Sequence, residues 1–166
     1  MANYGCAALI LLCAASLPLP LSAVTSESFQ VSATVTAGCL VTGGGSNYGD
    51  LNFGTQSALA TNTVQVQLSG GVQLQCTPGV TLNMSVDGGQ YNSSGRHLQL
   101  NSGSARVAYQ LFSDAAFSES LGIGQSVAVA YSDANNIRLP IYGQVQLPGD
   151  QPGGTYSDVL QVLLSW

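Results

Sequence analysis

The sequence predicts an all-β protein, either a sandwich or a barrel, from two observations. Short runs of alternating apolar and polar residues recur along the chain, and glycine-rich turns separate them. Alternation with a period of two is typical of strands that bury one face. No segment after Ala23 has the 3.6-residue period of an amphipathic helix, and many short strands without intervening helices indicate a sandwich or a barrel.

The alternating runs place the predicted strands in order along the chain. In the first run, Phe29, Val31, Ala33 and Val35 alternate with polar residues. The later predicted strands are residues 51–54, 64–69, 72–76, 80–86, 97–100, 105–112, 127–131, 139–147 and 156–166. Turn sequences such as Pro78-Gly79 and Asp87-Gly88-Gly89 separate several of them.

The last predicted strand continues to the final residue given. Leu160, Val162, Leu164 and Trp166 fall on one of its faces. Because an apolar strand is unstable when it is unpaired in water, we expect this strand inside a sheet with that face toward the core.

The first residues predict an export signal. An unbroken apolar stretch ends at Ala15 and is too short for a transmembrane helix of the mature protein. Small residues, Ser22 and Ala23, and then a polar stretch follow it, which is the layout of a secretory signal peptide, with cleavage expected after Ala23. Residues 1–5 carry no Lys or Arg, and a buried N-terminal hairpin or helix is the alternative.

The cysteine count predicts one disulfide bond. Two of the four cysteines lie inside the predicted signal, so the mature chain retains Cys39 and Cys76. In an exported chain these two most simply form one bridge. Loop-closure entropy gives such a bridge a stabilisation of about 4 kcal/mol.

The charge pattern argues against two classes of partner. The chain has a net charge of −5 and only three basic residues among Lys and Arg, all of them arginine. Nucleic-acid binding draws much of its affinity from the neutralisation of phosphates by basic clusters, and electrostatic membrane anchoring needs similar clusters. We therefore expect neither kind of partner.

Residues that could carry catalysis or bind a metal are scarce. His97 is the single histidine, and no carboxylate or thiolate is adjacent to it in the sequence. The chain has no Gly-x-Ser-x-Gly elbow, and the Asp residues lie in or next to turns, where capping explains them. We expect no enzyme activity, no catalytic residue, no metal site and no cofactor.

The alternating run at residues 29–35 allows two interpretations. Paired within its own domain, it is an ordinary first strand. Paired with another molecule, it is a polymerisation strand that binds by β-augmentation. Composition does not decide between them.

Several motifs together resemble the spore coat protein U domain family. These are residues 29–39, 51–54, 86–89, 107–114, 139–143 and 154–162. They extend over essentially the whole mature chain, and their order and spacing, rather than any one motif, carry the resemblance.

The resemblance implies a fold and a mode of assembly. The family includes subunits of archaic, Csu-type chaperone–usher pili, whose immunoglobulin-like β-sandwich lacks its last strand. Donor-strand complementation completes it: first a periplasmic chaperone and then the N-terminal extension of a neighbouring pilin subunit fills the gap.

Carried onto this chain, the resemblance implies a donor strand with Phe29, Val31, Ala33 and Val35. The acceptor groove is bordered by the terminal strand with Leu160, Val162, Leu164 and Trp166 facing the core, and the family disulfide joins Cys39 to Cys76. The implied organisation is a signal at residues 1–23, a donor extension at residues 24–37 and a β-sandwich domain at residues 38–166.

The implied function is that of a surface pilus subunit in adhesion and biofilm formation. Its partners are then a periplasmic chaperone, an outer-membrane usher and other pilin subunits, and its route leads through the periplasm to the cell surface or the medium. Two alternatives are a spore or cell-surface coat protein, and a carbohydrate-binding adhesin domain in which Tyr91, Tyr131 and Tyr142 stack on sugars.

Overall fold

The computed structural model describes residues 27–42, 47–70 and 73–166. The chain divides into two units, residues 1–34 and 35–166. In the first unit, the described residues 27–34 are exposed and form neither helix nor strand. The predicted signal at residues 1–23 lies outside the described residues.

The second unit contains strands and, among its described residues, no helix. The strands are β1 (Cys39–Thr42), β2 (Thr63–Gln67), β3 (Gln73–Cys76), β4 (Asn83–Val86), β5 (Arg96–Leu100), β6 (Arg106–Phe112), β7 (Val127–Ala128), β8 (Tyr142–Gln146), β9 (Tyr156–Ser157) and β10 (Val162–Ser165). The described part of the chain has no helix long and apolar enough to cross a membrane.

The strands form three antiparallel sheets. The largest sheet has the order β2-β8-β6-β5-β9, a smaller one has the order β10-β4-β7, and β1 pairs with β3. In the small pair, Cys39 lies directly opposite Cys76, and the two are joined by a disulfide bond. The all-β prediction and the predicted bridge are therefore confirmed.

The core lies where the inward faces of these sheets meet. Met84 and Val86 of β4 belong to the same buried cluster as Tyr109 and Leu111 of β6 and Val145 of β8. The alternation of buried and exposed residues along β6 follows the pattern in the sequence. Burial of these alternate side chains is the main force that holds the sheets together.

Three predicted strands differ from the observed structure. Residues 29–35 and 51–54 form no strand. The predicted strand 156–166 is divided into β9, which pairs with β5 of the large sheet, and β10, which pairs with β4 of the small sheet. The chain changes sheets between these strands, where Asp158 accepts hydrogen bonds from the Tyr109 hydroxyl at 2.7 Å and the Gln90 N–H at 2.9 Å.

Candidate functional site

The last strand, β10, is paired on one side. Val162 to Ser165 form an antiparallel ladder with β4, in which Val162 opposes Val86 and Leu164 opposes Met84. Among the residues that the structure describes, no strand pairs with the opposite edge of β10. An unpaired edge next to apolar side chains is a site where another strand can add.

The two faces of this terminal segment differ in burial. Leu160, Val162 and Leu164 are half-buried and pack against the core, as the sequence predicts. On the opposite face, Leu163 is 70% exposed. The expectation that Trp166 also faces the core is wrong, because this residue follows the last ladder position, Ser165, and is 60% exposed.

A groove runs beside the terminal segment. One cavity of about 450 Å³ lies between residues 47–53 and residues 158–162. A second cavity, of about 800 Å³, lies between residues 50–60 and residues 147–158. Because both cavities are lined by Leu51, Phe53, Leu98 and Asp158, they adjoin. We call the two together the terminal groove.

The wall opposite the terminal segment depends on a glycine. Gly143 of β8 is buried, and a β-carbon there would lie 3.0 Å from Cζ of Phe53 and 3.4 Å from a methyl group of Leu51. The missing side chain therefore lets Leu51 and Phe53 approach the sheet. The Phe53 ring also packs against Tyr109, with their centroids 6.4 Å apart. The predicted strand 51–54 is thus a half-buried wall segment.

A buried arginine lies beside the groove-lining part of β4. The side chain of Arg96 is 5% exposed and donates hydrogen bonds to the carbonyl oxygens of Asp87 at 2.8 Å, Val86 at 2.8 Å and Leu121 at 2.7 Å. Burial lowers the pKa of Arg96, and the nearby Tyr109, Asp87 and Asp158 oppose that shift. Since Val86 ends β4 and Asp87 follows it, the guanidinium fixes the end of the strand that pairs with β10.

Two carboxylates hold the crossover between β9 and β10. Asp87 accepts a hydrogen bond from the Gln161 N–H at 3.0 Å, and Asp158 accepts one from the Tyr109 hydroxyl. Burial raises the pKa of Tyr109, and its bond to Asp158 raises it further. The side chains therefore hold the groove edge in place where the strand ladder is interrupted.

The predicted donor residues are all accessible. Phe29, Val31 and Val35 are 86%, 82% and 90% exposed, and Ala33 is exposed as well. No strand occurs in the described residues 27–38.

The other sequence predictions concern chemistry. In the described part of the chain, no group of His, Cys, Asp and Glu side chains is placed to hold a metal ion. The ring of His97 contacts the carbonyl oxygen of Gly95 at 2.8 Å. Neither the burial of Arg96 nor the crossover role of Asp158 was predicted from the sequence. A buried arginine on a strand resembles an exposed one in an alternating pattern, so no sequence signal distinguished it.

Similar folds occur among solved structures of pilus proteins. A complex described as the CsuC–CsuE chaperone–tip adhesion subunit pre-assembly complex of archaic chaperone–usher Csu pili of Acinetobacter baumannii contains a matching chain with a TM-score of 0.54 and 18% identity. A chaperone–tip adhesin complex of CFA/I fimbriae matches with a TM-score of 0.44 and 12% identity.

Each of these two matches covers only part of the two chains compared. The first covers 80% of this chain and 40% of the matched chain, and the second covers 78% and 41%. This chain therefore spans about two fifths of the length of each of these two chains.

Among curated proteins there is no match to this chain. The family model of the Spore Coat Protein U domain, in contrast, matches residues 25–163, which include every strand described above except the last two residues of β10. The chain therefore belongs to the Spore Coat Protein U domain family.

Proposed function

We propose that this chain is a structural subunit of a surface pilus, and that its terminal groove accepts a β-strand from another protein molecule. Membership in the Spore Coat Protein U domain family identifies a structural protein rather than an enzyme. The observation that carries the proposal is the free edge of β10 beside a groove whose wall includes Leu51 and Phe53.

The groove has the chemistry of a strand acceptor. An added strand would pair its backbone with the free N–H and C=O groups of β10, which otherwise depend on water. Its alternate side chains would point between Leu51 and Phe53 on one side and Leu160 and Val162 on the other. Burial of each large apolar side chain there contributes about 2 kcal/mol. In this proposal, the domain at residues 38–166 is an incomplete immunoglobulin-like sandwich.

Residues 29–35 are our candidate for the donated strand. Their apolar side chains recur at every second position, which is the period that an acceptor groove requires. The extended segment from Phe29 to Val35 spans about 20 Å. Because these side chains are exposed, a neighbouring subunit can bind them without unfolding a core.

The same open groove calls for a chaperone during export. An apolar groove with an unpaired edge exposes the subunit to aggregation until a strand occupies it. We therefore assign this chain three partners: a periplasmic chaperone that occupies the groove first, an outer-membrane usher, and neighbouring subunits. The route through the periplasm to the cell surface, and roles in adhesion and biofilm formation, belong to the same proposal.

Two substitutions in residues 29–35 test strand donation. Val31→Asp places a charge on the apolar face of the donor, and Ser32→Asp places the same charge on its other face. Because both residues are exposed, neither substitution disturbs the folded core of the subunit. We expect Val31→Asp to abolish high-molecular-weight polymer in cell-surface extracts, whereas Ser32→Asp preserves it.

Polymer formation by the Val31→Asp variant at the native level would overturn strand donation by this segment.

A deletion of residues 24–37, produced with and without the candidate chaperone, separates a pilus subunit from a coat protein. The pilus proposal predicts a soluble complex with the chaperone and no polymer. A stable monomer that needs no chaperone would favour the coat protein.

A further inference from the structure

The outward face of the large sheet is rich in side-chain amides. Across β2, β8 and β6, Gln65 lies opposite Gln144, and Gln144 lies opposite Gln110. The Gln65 amide donates a hydrogen bond to the Gln144 amide oxygen at 2.9 Å, so these two side chains are joined across the strands. Gln65 and Gln110 are exposed. We call the outward residues of β2, β8, β6 and β5 the amide face.

The next row places a small residue between polar ones. Ala108 of β6 lies opposite His97 of β5, and the ladder between β6 and β8 brings Gln146 to its other side. Ala108 and Gln146 are exposed. Ala108 is the shortest outward side chain of β6.

One cation, Arg106, lies on the same strand as Ala108. Arg106 is exposed, its Nε donates to the Gln99 amide oxygen at 2.8 Å, and its guanidinium lies 5.6 Å from the centroid of the Tyr91 ring. These contacts orient the side chain and use only one of its nitrogens, so the two terminal nitrogens can still donate to a ligand. A guanidinium presented in this way suits a carboxylate.

The amide face carries no carboxylate, although the chain has eight acidic residues. The strands β2, β5, β6 and β8 contain neither Asp nor Glu. Asp114, just beyond β6, turns its carboxylate onto the N–H groups of Ser118 and Glu119. Asp158, just beyond β9, turns inward to Tyr109. Although the protein has a net charge of −5, the strands of this face carry one exposed positive charge, Arg106, and no negative charge.

We propose that the amide face binds an acidic polysaccharide, a chain of sugars bearing carboxylates. Side-chain amides both donate and accept hydrogen bonds, as sugar hydroxyls do, so the glutamine rows match a hydroxyl-rich chain. Arg106 supplies the one charge-assisted contact, to a sugar carboxylate. The face lies on the opposite side of the sheet from the core, so this binding does not depend on the strand-acceptor role of the terminal groove.

Affinity electrophoresis tests this proposal. The purified protein is run in gels that contain alginate, a polyuronate, or dextran, a neutral glucan. The variants are Arg106→Gln and the matched control Arg138→Gln, which removes the same charge from an exposed arginine outside the large sheet. Since both variants have equal net charge, a difference in retardation reports the site and not overall repulsion. A third variant, Gln110→Glu, adds a carboxylate to the amide row.

We expect alginate to retard the native protein and the Arg138→Gln variant equally. The Arg106→Gln variant loses one charge-assisted hydrogen-bonding group, so we expect it to bind alginate about tenfold more weakly than the native protein. We expect the Gln110→Glu variant to bind alginate more weakly as well. Native melting temperatures of the variants confirm that they fold. No retardation of the native protein by alginate, an equal loss in both arginine variants, or equal retardation by dextran would each overturn the proposal.

Discussion

Arg96 is buried and hydrogen-bonded to three backbone carbonyls, which the alternating pattern of the sequence does not predict. Its guanidinium is buried and donates to backbone carbonyls at the end of β4 and in the segment that contains Leu121. A buried cation is stable when all its donors are satisfied and acidic groups lie nearby. Arg96 therefore acts as a structural clamp at the groove end of the small sheet, where the sequence suggested an ordinary strand residue.

Replacement of this clamp should be costly. Arg96→Lys keeps the positive charge but replaces a planar fork by a single ammonium, which cannot reach three carbonyls on different segments. We expect the free energy of unfolding to fall by about 3 kcal/mol. Urea denaturation of the variant measures this, with Arg106→Lys on the exposed face as the control. A loss below about 1 kcal/mol would contradict the clamp role.

Tyr109 makes the stability of the fold depend on pH in the alkaline range. Its pKa is raised in the folded state, so the folded protein retains the phenol proton at a pH where the unfolded chain, with an ordinary pKa of about 10, releases it. The free energy of unfolding is therefore unaffected by this group below about pH 10 and falls as the pH rises above that value. Denaturation midpoints between about pH 8 and pH 11 measure the decline.

The matched variant for this pH dependence is Tyr109→Phe. It removes the titrating group while the aromatic ring stays in the core. We expect lower stability at neutral pH, because Asp158 loses a hydrogen-bond donor, and a flatter profile above about pH 10. An unchanged alkaline slope in this variant would assign the effect to another group.

Among the elements, the terminal segment shows how far the alternating pattern can be followed. The pattern correctly predicts which face of residues 160–164 is buried. It does not predict the change of sheet between β9 and β10, because that change depends on partners distant in sequence, such as Asp87 and Tyr109. Residues 51–54 show the same limit. Their apolar and polar residues do alternate, but Leu51 and Phe53 pack over Gly143 as a wall of the groove, and the segment does not pair as a strand.

The small pair of β1 and β3 depends on its disulfide bond. The strands are short, and a two-stranded sheet is marginal in water. Replacing both Cys39 and Cys76 by alanine should lower the free energy of unfolding by about 4 kcal/mol, chiefly because the unfolded chain gains entropy. Denaturation of this variant beside the oxidised native protein checks the value. A difference below about 1 kcal/mol would show that the bridge adds little to β1.

At the scale of the whole domain, the sequence predicted the all-β class and the core face of most strands from periodicity alone. The domain at residues 38–166, the donor strand at residues 29–35 and their pairing between molecules remain proposals. They depend on contacts with a second molecule, which neither the periodicity of one chain nor its own fold contains. The terminal groove supports them, because the free edge of β10 and the apolar wall at Leu51 and Phe53 lie where a further strand would fit.

The central claim is that the free edge of β10 accepts a strand, and hydrogen exchange at that edge tests it most directly. The protein lacking residues 24–37 is unfolded and refolded with or without a peptide of that sequence, and amide exchange is followed at Val162 and Leu164, whose N–H groups lie on the side of β10 away from β4. A Val31→Asp peptide serves as the control. We predict that the native peptide slows exchange at these residues and that the control peptide does not. Exchange that is already slow without peptide, or that stays unchanged when the native peptide is added, would contradict the account.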